Sequence, residues 1–442
     1  MKIKTVNMSY DEVMALPKPK KFRPGRASTL LRTIVRIISI FDLWKARFKL
    51  KGKLPPKKEG PFLVLMNHSS FIDLKIAHKI LYPRPFGIVC AHDALVGKKL
   101  LMRLLGCIPT KKFVSDVSLV HDIKTFLDKG INVLMYPEAG YSFDGKSTVI
   151  PDHLGGLIKM FKVPVVYIET KGAFTLDPLY NELQIRKVPV SASVEYLFTK
   201  EEVESLTAEQ LGERLSLAFS FDAFAWQKEN GIRVTEGFRA DGLERILYRC
   251  PHCGKEGHMK GEGTTLTCSA CKKSYFLTEL GELQASCGDT EFTHIPDWYQ
   301  WQRKCVREEL LSEKYSLEVP VEIGIMRDYK ALYMVGKGTL SHSLDGFHLT
   351  GCDGKLEYTQ KARSSYCLNS DFFWYEMGDV ISIGNSSVLY YLFPPKGVSV
   401  AKARLATEEL FKLHKDHDFH EKHCSHAHGL CDHPVHTAKS LT

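Results

Sequence analysis

Phe62-Leu63-Val64-Leu65-Met66-Asn67-His68-Ser69-Ser70-Phe71-Ile72-Asp73 is the stretch whose reading decides the fold of this chain. Its first five residues are an unbroken apolar run, short enough for a buried strand. Its last residues open a helical pattern that continues to about Leu81. Ser69 or Ser70 can cap that helix, with Asp73 in its first turn, where a carboxylate suits the helix dipole. His68 then stands just outside the helix and can fold back over Asp73. Asp73 would hold one imidazole nitrogen and leave the other free to take a proton. This pair demands no nucleophilic Ser or Cys, so the attacking hydroxyl can belong to a substrate. Alone the spacing is a weak signal, because a surface His followed by a capping Asp gives the same letters more often.

Outward from this stretch, strands and helices alternate. Phe62–Met66, Gly87–Cys90, Asn132–Tyr136 and Val163–Glu169 read as strands. Helical patterns lie near Ile72–Leu81, Lys99–Leu105 and Leu119–Lys129. Alternation of this kind predicts an α/β domain with a largely parallel central sheet. Ligands of such sheets sit beyond the carboxyl ends of the strands, which is where His68 and Glu138 fall. Residues 203–230 read as a helix that closes the domain.

Three more segments follow in order: Gly106-Cys107-Ile108-Pro109-Thr110-Lys111-Lys112, Tyr136-Pro137-Glu138-Ala139-Gly140-Tyr141-Ser142 and Val163-Pro164-Val165-Val166. Together with Asn67–Asp73 they resemble the four blocks of the glycerolipid acyltransferases, the 1-acylglycerol-3-phosphate O-acyltransferase-like (PlsC-like) family. The resemblance covers roughly residues 28 to 240. It implies an O-acyltransferase of phospholipid biosynthesis or remodelling. A fatty acyl group would pass from a thioester donor, acyl-CoA or acyl carrier protein (acyl-ACP), to the hydroxyl of a lysophospholipid such as 1-acylglycerol-3-phosphate. It implies His68 as general base and Asp73 as the group that fixes its tautomer. It carries over Lys111, Lys112, Glu138 and Ser142 as acceptor-binding residues, with a structural cap as an equal reading of Glu138. Two departures bear on the acceptor. The second block often ends near an Arg, where Lys111 and Lys112 stand here. The third block usually reads Phe-Pro-Glu-Gly-Thr-Arg-Ser, and here its Gly-Thr-Arg is Ala139-Gly140-Tyr141. A Lys is a point charge and does not reproduce the bidentate fork of Arg. Lys146 could restore a charge nearby.

Cys250-Pro251-His252-Cys253 and Cys268-Ser269-Ala270-Cys271 are two CxxC motifs with a 14-residue spacer. Each can present two thiolates to one ion, and the spacer allows a hairpin to bring the pairs together. Cys250, Cys253, Cys268 and Cys271 are therefore expected to hold Zn2+ as a zinc ribbon. Four thiolates fill the shell of the ion, so its role would be structural. Two unrelated redox motifs are the chance alternative. Ribbons often bind nucleic acid, but this one lacks a dense basic and aromatic face and sits between two other folded units, so no nucleic acid is expected and a domain-bridging or partner-docking role is favoured.

The chain has 442 residues, 44% of them hydrophobic, with 12 Cys and a net charge of +9. That length suits two or three domains. The remaining Cys lie mostly singly, as in a reducing compartment. No signal peptide is visible, and no run of about 18 uncharged apolar residues suggests a transmembrane helix. Basic residues crowd the N-terminal margin, as suits an anionic lipid surface. Within Leu30–Trp44, Leu31, Ile34, Val35, Ile38 and Phe41 fall at helical spacing, with Arg32, Arg36 and Ser39 as a narrow polar stripe. Such a helix can lie in a membrane interface or pack on the protein's own core. The acyltransferase reading favours the membrane, with the protein peripheral or monotopic on its cytoplasmic side and membrane lipids as partners.

The expected division is a basic segment over 1–27, loosely ordered, and an acyltransferase domain over 28–245. A zinc ribbon follows over 246–280, a helical linker over 281–312, a pleckstrin-homology-like (PH-like) antiparallel β-barrel with one helix over 313–413, and a His-rich disordered tail over 414–442. The barrel rests on short alternating stretches between Ala331 and Phe393, separated by turn signals such as Asp345-Gly346 and Asp353-Gly354. The tail holds eight of the chain's 18 His between His414 and His436, a composition that can bind transition metals loosely. Two rival functions remain open at this point. One is a metal-dependent lipid hydrolase or esterase that recruits His68 and Asp73. The other is a non-catalytic zinc-ribbon protein that binds partners at a membrane.

Overall fold

The computed structural model describes residues 2–17, 19, 21–112 and 117–427, with residues 416–427 described by backbone alone. Strands β1 (Thr5–Asn7) and β2 (Lys49–Lys51) and helices α1 (Tyr10–Ala15) and α2 (Thr29–Lys45) precede β3 (Leu63–Met66). Then come α3 (Ile72–Leu81), β4 (Phe86–Ala91), α4 (Lys99–Leu104), β5 (Cys107–Thr110), α5 (Val117–Asp128), β6 (Asn132–Met135), α6 (Leu154–Phe161), β7 (Val165–Lys171), α7 (Ala173–Leu176) and β8 (Ser191–Phe198). The seven-stranded sheet runs β2-β8-β7-β3-β6-β4-β5. Strands β7, β3, β6, β4 and β5 run parallel to one another, and β8 is antiparallel to β7 but parallel to the edge strand β2.

Every residue of β3 is buried, as a strand covered on both faces must be. Its alternation sorts the two covering layers. Val64 and Met66 meet Leu43 of α2 and Ile76, Ala77 and Leu81 of α3. Leu63 and Leu65 meet Ile123 and Phe126 of α5, Ile158 and Phe161 of α6, and two later helices. Three helices replace the single one expected over 203–230: α8 (Lys200–Ser205) and α9 (Ala208–Ala218), which supply those contacts, and α10 (Ala223–Glu229). The reason is capping chemistry. Thr199 with Glu202 and Thr207 with Gln210 form capping boxes, and the Asp222 side chain accepts from the Ala225 N–H. Each starts a new helix.

Beyond Glu229 lies a four-stranded antiparallel sheet of β9 (Met259–Glu262), β10 (Thr265–Cys268), β11 (Ser274–Leu277) and β12 (Leu283–Ala285). It is followed by α11 (Ile295–Leu311), opened by Pro296 as the sequence suggests. The C-terminal strands are β13 (Leu317–Met326), β14 (Leu332–Ser343), β15 (Gly346–Gly351), β16 (Leu356–Lys361), β17 (Asn369–Trp374), β18 (Gly378–Gly384) and β19 (Leu389–Phe393), before α12 (Val400–Ala427). They pair in the order β16-β15-β14-β13-β19-β18-β17.

Several expectations change here. The C-terminal sheet is open, because its end strands β16 and β17 do not pair, so a closed barrel is not what forms. Within the N-terminal segment residues 5–15 are not loosely ordered: β1 pairs in parallel with β14 through Thr5↔Leu332 to Asn7↔Met334. Behind it, a Ser9/Glu12 capping box starts α1 and Val13 is fully buried. The ribbon joins its neighbours, as a bridging module does. Leu266, Tyr275 and Leu283 share one core with Tyr248, Trp298 of α11 and the inner face of the C-terminal sheet. Finally, α12 continues to Ala427, because no Gly or Pro interrupts 400–427. The tail expected to be disordered from 414 therefore begins as helix, and its remainder from 428 lies outside the described residues.

Candidate active site

The site starts where β3 stops. Asn67 locks that point: its side chain donates to the Thr170 carbonyl at 3.0 Å and accepts from the Thr170 N–H at 2.7 Å. The ends of two adjacent parallel strands are thereby fixed together. The chain then turns into α3, and Asp73, fully buried, gathers that turn. Its Oδ2 accepts from the N–H groups of Ser69 and Ser70 at 2.8 and 3.0 Å, while Thr170 Oγ1 lies 3.4 Å from Oδ1. Asp73 thus closes the turn that enters the helix, while Phe71, which directly precedes α3, makes no side-chain capping bond. Ser70 Oγ accepts from the Ile72 N–H at 3.1 Å and donates to the carboxylate of Asp177.

His68 Nδ1 lies 3.2 Å from Asp73 Oδ2. A carboxylate can only accept there, so Nδ1 carries the hydrogen and Nε2 keeps the lone pair. The imidazole is covered on both faces. Tyr136 stacks on one with ring centres 4.1 Å apart, and Tyr141 lies on the other, also at 4.1 Å. The side chain retains 21% of its exposure. Burial lowers the pKa of the imidazole below its ordinary value, the Asp73 contact opposes that shift, and the charge of Lys112 adds to it. The ring is therefore neutral near pH 7, the form that can take a proton.

The other expected residues take varied positions. Glu138 is buried just past β6, and burial pushes its carboxyl up to about 7. Its Oε2 accepts from the His68 N–H and its Oε1 from the Thr148 N–H, both at 2.7 Å. It thus ties the His68 loop to the segment after the third block. Ser142 Oγ accepts from the Gly145 N–H at 2.9 Å and donates to the Lys146 carbonyl at 2.5 Å, closing a turn. Lys111 reaches across to the Ser386 carbonyl of the C-terminal sheet. Lys112 is half-buried and acts electrostatically on His68, Asp93 and Asp371. Lys146 Nζ lies 3.7 Å from Asp222 Oδ2. Glu138→Gln is expected to lower stability by about 1–3 kcal/mol, because an amide NH2 would face one of the two N–H donors. Denaturant melts would show this, and an unchanged midpoint would refute it.

Residues 47–169 match the family model described as Acyltransferase. This segment is an acyltransferase domain. The match contains His68, Asp73, Lys111, Lys112, Glu138 and Ser142 and ends within β7. Comparison with the curated proteins finds no match. Among solved structures, the 1-acyl-sn-glycerophosphate (LPA) acyltransferase PlsC from Thermotoga maritima is similar at 14% identity and a TM-score of 0.35, over 42% of this chain and 76% of that one.

Outside the matched segment, the C-terminal sheet leans on the acyltransferase domain. Phe372 of β17 stacks on Phe143 at 4.2 Å, and the Trp374 indole N–H donates to Asp93 at 3.1 Å. Sequence reading had no signal for Tyr136 and Tyr141 against the histidine, since stacking depends on how distant strand ends converge. Asp177 was equally invisible, lying 107 residues from Ser70.

The four cysteines of the ribbon do converge. Their sulfur atoms all lie within 4.8 Å of one another, with Cys250–Cys271 at 3.7 Å and Cys253–Cys268 at 3.8 Å. Tetrahedral Zn–S bonds of about 2.3 Å place sulfurs about 3.8 Å apart, so the thiolates fit zinc. Among the described residues this is the one group of that kind.

Proposed function

We propose that this chain is an O-acyltransferase that esterifies a lysophospholipid, such as 1-acylglycerol-3-phosphate, from an acyl-CoA or acyl-ACP donor. The observation that carries the proposal is His68 held through Nδ1 by Asp73 inside an acyltransferase domain. Nε2 takes the proton of the acceptor hydroxyl as its oxygen bonds to the thioester carbonyl carbon. The tetrahedral intermediate then expels the thiolate, which recovers the proton from the imidazolium. Buried Asp73 steadies that cation. The thiolate is a good leaving group, so alignment of the two reactants is the main task of the enzyme. Lys112, beside His68, supplies positive charge for an anionic head group.

Helix α2 supports access from a bilayer. Its polar stripe faces inward: Arg32 donates to the Pro83 carbonyl at 2.9 Å and Ser39 is buried. Leu30, Ile34, Ile37, Phe41 and Trp44 face outward, with Leu30 72% and Trp44 77% exposed. The Ser28 N–H bonds to Leu104 at 2.8 Å, so exposed Leu100, Leu101 and Leu104 of α4 extend this apolar rim. Exposed Phe71, with its ring 5.5 Å from Tyr141, leads from the rim towards His68. A surface of this kind inserts into the interface rather than crossing it. No helix among the described residues is long and apolar enough to span a membrane. The proposed location is peripheral, on the cytoplasmic face. The ribbon holds a structural zinc, and the open C-terminal sheet with α12 is PH-like in its succession of strands and closing helix.

The test offers labelled oleoyl-CoA and oleoyl-ACP to the purified chain, with lysolipids of different head groups in floated anionic vesicles. Transfer to one acceptor by vesicle-bound protein is expected. Transfer to water that stops at once on chelation would instead mark a metal-dependent hydrolase. No transfer from either donor would overturn the proposal.

A further inference from the structure

The third block carries Tyr141 where the resembled family usually carries an Arg, and that tyrosine lies on His68 with ring centres 4.1 Å apart. Its backbone is held from far along the chain. Arg404 of α12 donates to the Tyr141 carbonyl at 3.2 Å, and its guanidinium lies over the Phe143 ring at 4.4 Å. Phe143 is pressed from its other neighbours by Phe372 of β17. Arg404 is itself fixed. It is only 4% exposed, and Nε bonds to Glu408 at 3.1 Å. Glu408 is shared with Arg303 of α11 at 2.7 Å, and Arg303 also meets Glu409 at 3.0 Å. A planar guanidinium suits this task, since it can serve a carboxylate, a carbonyl and an aromatic face together.

We propose that the C-terminal helix sets the catalytic histidine: Arg404 and Tyr141 are positioning residues that hold the His68 ring against Asp73. This rests on the acyltransferase reading of His68 but goes beyond it, because it makes the domain outside residues 47–169 part of the working site. The imidazole has Tyr136 on one face and Tyr141 on the other, with Asp73 at Nδ1. Glu138 accepts from its backbone N–H, and Lys112 acts on it through space. Removing one aromatic wall lets water reach the ring and frees it to tilt from Asp73. Burial is the largest cause of the lowered pKa of His68, ahead of the opposing Asp73 contact, so hydration moves it upward by more than a weakened Asp73 contact moves it down. His68 works when neutral, so the acid limb of the pH profile moves to higher pH. Misplacement of a base by a fraction of a bond length costs about 10–100-fold in kcat.

The experiment compares full-length wild type with Tyr141→Leu, Tyr141→Phe and Arg404→Met, all checked for folding by circular dichroism and melting. One readout is kcat and its pH profile for acyl transfer. The second needs no turnover: the rate at which diethyl pyrocarbonate carbethoxylates His68, followed by peptide mapping across pH. The expected result is a higher His68 pKa and faster modification in Tyr141→Leu and, to a smaller extent, in Arg404→Met, with kcat falling about 10–100-fold. Tyr141→Phe, which keeps the ring, restores the wild-type titration. Unchanged titration and modification in folded Tyr141→Leu would overturn the proposal, as would a lowered melting temperature with kcat and pH profile unchanged. A shifted titration in a protein that transfers no acyl group would uphold the positioning role and remove the acyltransferase reading alone.

Discussion

His68→Ala is expected to lower kcat/KM for acyl transfer by about 10²–10⁴-fold while leaving the chain folded. The loss is that of the only group proposed to take the acceptor proton. The fold should survive because the turn into α3 does not depend on the imidazole. Asp73 still accepts from Ser69 and Ser70, Asn67 still grips Thr170, and Glu138 still accepts from the backbone of residue 68. The substitution leaves a slot between Tyr136 and Tyr141 that is already partly open to solvent. Asp73 is a poorer probe, because removing its carboxylate undoes the turn together with the pair. Steady-state kinetics beside a thermal melt decide the matter. A folded variant with activity within a few-fold of wild type would mean that another group takes the proton.

Removal of zinc should have the largest effect on stability. Structural zinc in small thiolate modules contributes on the order of 10–16 kcal/mol of apparent binding free energy, comparable with the whole stability of a domain, about 5–15 kcal/mol. Here the consequence should spread beyond the ribbon. Trp298 of α11 packs edge-on against Tyr275, and its indole N–H donates to the Arg249 carbonyl at 2.9 Å, one residue before Cys250. Gln302 of α11 bonds to both Arg249 and Ile246. Lys402 of α12 reaches Glu256 within the first knuckle at 2.8 Å. Losing the knuckles therefore loosens the bed of α11 and α12, and with it Arg404. Chelation under mild denaturant, or Cys268→Ser, should cost the cooperative melt and acyl transfer together. Elemental analysis should give one zinc per chain. A metal-free chain with the same melting temperature would sink this expectation.

What the sequence disclosed and what it withheld divides along physical lines. Leu63–Met66 and Asn132–Met135 were legible because strands covered on both faces need continuous apolar runs. The His68–Asp73 contact was legible because it is local, five residues apart across one turn. The cysteines were legible because thiolates at CxxC spacing have few other uses. Helix α2 was half legible. Its period showed two faces, but a pattern alone does not say which face turns inward, and here the arginine-bearing stripe does. Thr5–Asn7 offered no pattern, since three residues at a sheet edge need none. Tyr141 and Arg404 meet across 263 residues, and only the assembled fold brings them together. The open path of the C-terminal sheet was hidden for the same reason: hairpin signals give neighbours in sequence, while β13 also pairs with β19.

The pairing of β1 with β14 imposes an order on biosynthesis. Some 325 residues separate Asn7 from Leu332, and ribosomes add about 5–20 residues per second. The first strand therefore leaves the ribosome roughly 15–65 s before its partner exists. During that interval the acyltransferase domain can form its own layers, while the side of α1 that buries Val13 has nothing to bury it. The newborn polypeptide must carry an unclaimed segment through that interval, a natural substrate for chaperones, and the clasp closes only once β14 has emerged.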